Sequence, residues 1–139
     1  MSQLKISGDV ASPRELDFAG LSALPEQVAD VAAEVPGRRG AGVRLRAILD
    51  AAGARGAWLL LVSDDGFSIA VPRADVEAGI VAYRLGDGEL PGKDGGPRRF
   101  YVPASAERGT GQAVDACANV KRLVEIRVSA ERPEDTHRH

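Results

Sequence analysis

Short runs of alternating apolar and polar residues recur along the chain, and they predict more strands than helices. In the first run, LKISGDV at residues 4–10, Leu4 and Ile6 alternate with polar neighbours, as in a half-buried strand. The same pattern, or a continuous apolar run of strand length, predicts further strands at residues 27–35, 57–63, 67–71, 80–85, 98–103 and 120–129. In the last of these, Val124, Ile126 and Val128 are expected to form one buried face.

Three short helices are predicted between these strands. Asp17 is a candidate N-cap for a helix at residues 18–24. The clearest helical spacing lies at residues 43–52, where Gly53 stands at the C-cap position. Residues 72–79, PRADVEAG, begin with a proline that suits a first helical turn. Strands mixed with short helices, without regular crossover helices, indicate the α+β class.

Two glycine-containing segments predict turns or loops. The segment DDG, residues 64–66, joins two predicted strands and favours a β-hairpin, because Asp hydrogen-bonds to nearby backbone and Gly66 permits positive φ. Turn formation is therefore preferred over acid-base or cation chemistry for this pair, although Asp65 is kept as a candidate site residue. The segment PGRRGAG, residues 36–42, predicts a loop.

Composition restricts the class of protein. The chain has 139 residues, 44% of them apolar and 27% charged, as expected for one soluble domain. A net charge of -2 gives no reason to expect nucleic acid or an anionic membrane as partner. The sequence shows no secretory signal and no span of about 20 apolar residues, so a cytoplasmic location is expected. We expect a domain at residues 1–130 and a flexible tail at residues 131–139.

Cysteine and histidine are rare, which limits the available chemistry. Cys117 is the only cysteine, so an internal disulfide framework and multi-cysteine metal sites are excluded. Both histidines, His137 and His139, lie in the predicted tail, so the predicted domain contains no histidine base or metal ligand. Cys117 lies between two alanines and is expected to be sheltered and inert, a nucleophile beside Lys121 being the alternative.

A basic loop is the main candidate site. Glycines surround Lys93, Arg98 and Arg99 in GKDGGPRRFYVP, residues 92–103. The loop lacks the spacing of a nucleotide P-loop, and a strand follows it, so a helix dipole is not expected to bind an anion there. Strand alternation predicts that Arg98 and Arg99 point to opposite faces. At most one of them is therefore expected to face a given pocket.

Six segments taken in order resemble the molybdopterin-binding domain of the sulfite oxidase family. They are LKISGDVASPRELDFAGLSALP, GVRLRAILDAAG, SDDGFSIAVPRADV, IVAYRLGDGEL, GGPRRFYVP and NVKRLVEIRV, and together they span roughly residues 4–129. The resemblance implies an α+β fold with several small sheets and short helices. It also implies molybdopterin, or another pterin, as the cofactor.

The resemblance departs from the family at the metal. In that family the pterin dithiolene holds molybdenum, and a protein cysteine, located between the second strand and the following helix, supplies a further sulfur ligand. The corresponding stretch here, residues 28–42, contains no cysteine. Cys117 lies much later in the chain, where the family has no such ligand. The resemblance therefore implies a pterin site without a protein thiolate on molybdenum.

The family pattern HG-x-P-x-R matches residues 94–99. Arg99 keeps its arginine and Gly95 its glycine, whereas Asp94 replaces the histidine and is expected to repel a phosphate. The resemblance implies that Arg99 contacts an anion, and that Gly95 and Gly96 let the backbone approach it closely.

Two further family motifs add candidate residues. The motif VK-aromatic-L matches residues 120–123, so the pterin-facing lysine falls on Lys121, with Arg122 at the aromatic position. The family's DGY matches the segment that begins at Asp65. Lys121 and Arg99 are therefore expected to line one cavity.

Three functions remain open from the sequence. The first is a reduced homologue that binds a pterin-like or other small anionic ligand without molybdenum-thiolate redox catalysis. The second is a molybdopterin-dependent oxidoreductase subunit that works with a redox partner chain. The third is a ligand-free interaction or scaffold domain.

Overall fold

The computed structural model of the chain describes residues 3–102 and 120–135. Strands dominate these residues: β1 Leu4–Gly8, β2 Arg14–Leu16, β3 Gln27–Val28, β4 Ala41–Arg44, β5 Trp58–Ser63, β6 Ser68–Pro72, β7 Ile80–Leu85, β8 Gly88–Glu89, β9 Arg99–Tyr101 and β10 Leu123–Ser129. The helices are α1 Phe18–Ser22, α2 Leu45–Ala52 and α3 Arg73–Val76, and 3₁₀ turns form at Val31–Ala33 and Gly92–Asp94. The predicted α+β class is confirmed.

The described strands form two sheets. The first has the order β2-β1-β10-β5-β6, in which β1 and β10 are parallel and the other neighbours antiparallel. The second has the order β3-β4-β7-β8, and β9 also pairs with β7. Across the first sheet, Ile6 pairs with Ile126, Ile126 with Leu61, and Leu61 with Ile69. This apolar row fixes the register, because a one-residue slip would turn every side chain to the opposite face.

The buried apolar residues form a main core and a smaller second cluster. The main core contains side chains of the first sheet, α2 and one face of the second sheet, including Val81 and Tyr83 of β7. The alternate β7 residues, Ile80 and Ala82, belong to the second cluster together with Val28, Val31, Leu90 and Tyr101. Burial of each large apolar side chain contributes about 2 kcal/mol to folding. The second sheet is therefore apolar on both faces.

The predicted helix caps and hairpin are confirmed. The Asp17 carboxylate accepts a hydrogen bond from the Gly20 amide at 2.8 Å, and Gly53 ends α2 in the left-handed conformation at φ 67°. Strands β5 and β6 form the hairpin, in which Gly66 has φ 92° and the Phe67 amide donates to the Asp65 carboxylate at 3.0 Å. The segment DDG therefore forms the turn of the hairpin, as predicted.

The predicted boundary between a loop at residues 36–42 and a helix at residues 43–52 is wrong, because a strand lies across it. Ala41 and Gly42 already belong to β4, and α2 begins only at Leu45. A Cβ on Gly42 would lie 2.4 Å from the Val81 carbonyl oxygen, so β4 pairs closely with β7 only with glycine at this position. Gly42, which suggested a loop, instead permits the close pairing of β4 with β7.

Two predicted strands also need correction. The strand expected at residues 27–35 ends at Val28, because Asp30 caps the 3₁₀ turn Val31–Ala33 by accepting from the Ala32 amide at 3.1 Å. In β10 the register shifts between Leu123 and Glu125. Leu123 is therefore fully buried, whereas Val124, expected on the buried face, is only half-buried.

Some predictions concern residues outside the described ranges. Cys117, Pro103, His137 and His139 lie there, so the proposed inertness of Cys117 stays a prediction. The division into a domain at residues 1–130 and a flexible tail also stays a prediction. Among the described residues, no helix has the length and apolarity needed to cross a membrane.

Candidate anion site

The loop before β9 is shaped by contacts within the chain. Gly95 ends the 3₁₀ turn Gly92–Asp94 at φ 91°, and the Gly96 amide donates to the Pro91 carbonyl at 2.9 Å. A Cβ on Gly96 would lie 1.7 Å from the Leu90 carbonyl oxygen, and one on Gly95 would lie 2.6 Å from Cδ of Arg99. Both glycines are thus needed for packing inside the chain. Their approach to a ligand stays a prediction.

Backbone hydrogen bonds bring the three predicted site segments together. The Arg122 amide donates to the Gly95 carbonyl at 2.8 Å, and the Phe100 amide donates to the Val120 carbonyl at 3.0 Å. On the other side, the Asp64 amide donates to the Arg122 carbonyl at 3.1 Å. The basic loop, the segment at residues 120–123 and the hairpin turn therefore meet at one place.

Arg98 points into the protein and is held by the backbone. Its side chain is among the largest fully buried ones, with 2% of the residue exposed. Its Nε donates to the Leu123 carbonyl at 3.0 Å, and the Leu123 amide donates back to the Arg98 carbonyl at 2.9 Å. Burial lowers the pKa of the Arg98 guanidinium from its ordinary value. Arg98 thus connects the loop to β10.

Arg99 points the other way, as strand alternation predicted. Its guanidinium carbon lies 5.0 Å from the centroid of the Tyr101 ring, two residues along β9. The residue is only 7% exposed, and its buried Nε has no hydrogen-bond partner in the part of the chain that the structure describes. Burial is the main cause that lowers the pKa of this guanidinium. Arg99 is therefore a desolvated cation with an unused donor.

Further cations lie beside Arg99 or beside its neighbour Asp94. The guanidinium carbon of Arg38 lies 5.8 Å from the centroid of the same Tyr101 ring, and the positive charge of Arg38 also depresses the pKa of Arg99. Lys93 stands in the 3₁₀ turn beside Asp94. We call Arg38, Arg39, Lys93 and Arg99 the basic cluster. Among the described residues, the carboxylate whose charge acts on Arg39, Lys93 and Arg99 is that of Asp94, so four positive charges stand against this one negative charge.

Asp94 is paired with Arg39. Arg39 Nη2 donates to Asp94 Oδ2 at 2.7 Å and its Nε to Oδ1 at 3.3 Å, a two-point contact. The hydrogen bond from Arg39 holds the pKa of Asp94 below its ordinary value of 3.8. The carboxylate that was expected to repel a phosphate is therefore paired with Arg39, and its charge also acts on Lys93 and Arg99.

Arg122 and Asp65 are in contact, and this contact is an ion pair at the hairpin turn. Arg122 Nε lies 3.0 Å from Asp64 Oδ1, and its Nη2 lies 3.3 Å from Asp65 Oδ2. The Phe67 amide is the main cause that lowers the pKa of Asp65. Lys121 is exposed beside this turn. Ligand contacts by these residues, and a cavity shared by Lys121 and Arg99, stay predictions.

Three residues of the site were missed from the sequence. Arg38 and Arg39 were assigned to a loop without a role, and Tyr101 was assigned only to a strand. The available signals were the paired arginines in PGRRGAG and the two-residue spacing of Arg99 and Tyr101, which places both side chains on one face of β9.

Residues 28–42, which match the region of the family's cysteine, have other side chains with other roles. Asp30 caps a 3₁₀ turn, Val31 is fully buried, and Arg39 pairs with Asp94. No sulfur atom is available at residues 28–42, because the sequence has neither cysteine nor methionine there. The residues present fit an anion and do not fit a thiolate ligand for molybdenum.

The α+β fold has known relatives, which place the domain in a family. The sequence model of the oxidoreductase molybdopterin-binding domain matches residues 2–137, so the chain belongs to that family. Among solved structures, a chain of the sulfane dehydrogenase SoxCD from Paracoccus pantotrophus is similar, with a TM-score of 0.68 and 21% identity. The match covers 94% of this chain but 39% of that one. A comparison with curated proteins gave no match.

Proposed function

We propose that this domain binds a small anionic ligand, such as the phosphate of a pterin cofactor, at the basic cluster. The observation that carries the proposal is the Nε of Arg99, which is buried and without a partner among the described residues. A buried donor left without an acceptor destabilises a fold by about 1–3 kcal/mol, and by more when the group is charged. A bound anion would supply the missing acceptor.

The residues of the cluster have distinct roles in this proposal. Arg99 donates to the anion through its planar guanidinium, which the Tyr101 ring holds from one side. Arg38 adds a second positive charge against the same ring. Lys121 contributes from the exposed side, in line with its place in the family motif.

Family membership makes molybdopterin the first candidate for the ligand. The phosphate of that cofactor suits the arginines, and its dithiolene supplies the ligands for molybdenum and thereby the redox chemistry when the metal is bound. The cysteine of the family pattern is missing at residues 28–42. We therefore propose that the domain binds the pterin without a protein thiolate and without molybdenum-thiolate redox catalysis.

A second function is favoured by the family description. The matching family is an oxidoreductase domain, and the similar solved structure is a dehydrogenase. This chain spans well under half of that protein's length. In this alternative the domain is an oxidoreductase subunit whose electrons pass to a partner chain.

Analysis of the natively purified protein separates these functions. Molybdenum is measured by inorganic mass spectrometry, and pterin by the fluorescence of its oxidised form after release. Pterin without stoichiometric molybdenum supports the first proposal. Stoichiometric molybdenum contradicts it and supports the oxidoreductase subunit. If pterin is absent and inorganic phosphate does not raise the melting temperature, both fail in favour of a scaffold domain.

A further inference from the structure

The outer face of the first sheet carries buried apolar residues that do not belong to the main core. Leu59 and Leu61 of β5 face the core, so Trp58 and Leu60 point to the opposite side. Leu60 pairs with Ala70 of β6 on that face. Even so, Leu60 is only 6% exposed and Ala70 only 7%. Exposure this low means that another segment of the chain covers this face of the sheet.

Residues 131–135, which we call the C-terminal strap, make contacts on both sides of Leu60. The guanidinium carbon of Arg132 lies 5.8 Å from the centroid of the Trp58 ring. The Ala70 amide donates to Asp135 Oδ2 at 2.6 Å. The strap begins with a hydrogen bond from Ser129 Oγ to the Glu131 carbonyl at 2.6 Å. These contacts lead the strap from the end of β10 across the sheet to β6.

The contact at Ala70 closes the edge of the sheet. β6 is the outermost strand, and the Ser63 amide donates to the Phe67 carbonyl while the Arg73 amide donates to the Ala57 carbonyl. In an antiparallel pair this pattern leaves the Ala70 amide pointing away from β5. An open edge amide is a site for pairing with another chain. Pro72, the next outward position, has no amide hydrogen.

We propose that the outer edge of β6 and the Trp58 ring form a docking site for an extended acidic segment, and that the C-terminal strap of the same chain is its occupant. The strap has the matching chemistry: its sequence, ERPED, contains three carboxylates, one arginine and one proline. Its contacts with the sheet include the hydrogen bond that the Asp135 carboxylate accepts and the cation–π contact of Arg132, and contacts of both kinds are reversible. The inference is independent of the proposed anion site.

Amide hydrogen exchange in the full chain tests the edge contact. Asp135→Ala removes the acceptor, and exchange of the Ala70 amide should become faster on the order of tenfold. Glu134→Ala, a neighbouring exposed carboxylate, is the matched control and should leave that amide unchanged. Equal exchange rates in wild type and Asp135→Ala, or an equal increase in the control, would overturn the proposal.

A peptide in trans tests the docking site itself. The full-length double variant Arg132→Ala, Asp135→Ala is titrated with the synthetic peptide SAERPED, and binding is followed by the fluorescence of Trp58, the only tryptophan. We expect saturable binding, weaker binding to the wild-type chain, whose own strap competes, and none with a peptide ending in alanine. The proposal would be overturned if SAERPED did not bind, or if the peptide ending in alanine bound equally well.

Discussion

Arg98 and Arg99 are neighbours in sequence, both are buried, and their surroundings differ. Arg98 donates to the Leu123 carbonyl and joins the loop to β10. Arg99 lies over Tyr101 with an Nε that has no acceptor in the described part of the chain. Burial alone therefore does not show what a charged residue does. The hydrogen-bond partners of each guanidinium separate a structural arginine from a candidate ligand-binding one.

The largest effect is expected at the structural arginine. Arg98→Met keeps most of the side-chain volume but leaves the Leu123 carbonyl without its donor, so the free energy of unfolding should fall by about 2 kcal/mol. Urea denaturation measures this change. An unchanged urea midpoint would show that the two arginines do not differ in the way that their contacts indicate.

The same change at the neighbouring residue should act in the opposite direction. Arg99→Met removes a buried cation whose Nε has no acceptor in the described part of the chain, so the free energy of unfolding in phosphate-free buffer should rise by about 1 kcal/mol. The same urea experiment measures it. A loss of stability similar to that of Arg98→Met would mean that Arg99 is also structural.

The Arg39–Asp94 ion pair sharpens the comparison, because Arg39 holds by a two-point contact a carboxylate whose charge also acts on Arg99. In Arg39→Gln the freed carboxylate can pair with Arg99, and phosphate affinity measured by calorimetry at low salt should fall about fivefold. Asp94→Asn should not weaken binding, and the double variant should recover most of the loss. Strictly additive effects would contradict this role of Arg39.

The ion pair also predicts a pH dependence. The pKa of Asp94 is below 3.8 in the folded chain, so the stability that the pair contributes is fully present above about pH 5 and is lost as pH falls through the folded pKa. The difference in melting temperature between wild type and Arg39→Gln should therefore be constant from about pH 7 to pH 5 and shrink below pH 4. A difference that shrinks already at pH 6 would assign the effect to another group.

The smallest effect on stability is expected at Lys121. This lysine is exposed, so Lys121→Ala should change the free energy of unfolding by less than about 0.5 kcal/mol. Phosphate affinity should nevertheless decrease if Lys121 faces the same anion as Arg99. Unaltered phosphate affinity in calorimetry would remove Lys121 from the site.

The sequence predicted those parts of the fold that local chemistry determines. The hairpin of β5 and β6, the Asp17 cap and the Gly53 cap depend on neighbouring residues, and all are confirmed. Strand β4 was missed at Gly42, because the need for glycine arises from the Val81 carbonyl on a distant strand. Pattern alone could not show that contact.

The candidate site was predictable only in part for the same reason. Arg99, Gly95 and Lys121 lie in family motifs and were proposed from the sequence, whereas the Arg39–Asp94 pair joins residues far apart in the chain. The burial of Arg99 and its unused Nε depend on packing against the second cluster around Tyr101. A charge pattern in a glycine-rich loop does not report that packing.

The most direct test of the anion site is the dependence of the melting temperature on inorganic phosphate in wild type and Arg99→Met. A ligand that binds only the folded state stabilises it in proportion to the logarithm of its concentration above the dissociation constant. We expect a rise in wild type, a smaller rise in the Lys93→Ala control and no rise in Arg99→Met. An equal rise in wild type and Arg99→Met would show that Arg99 does not bind the anion.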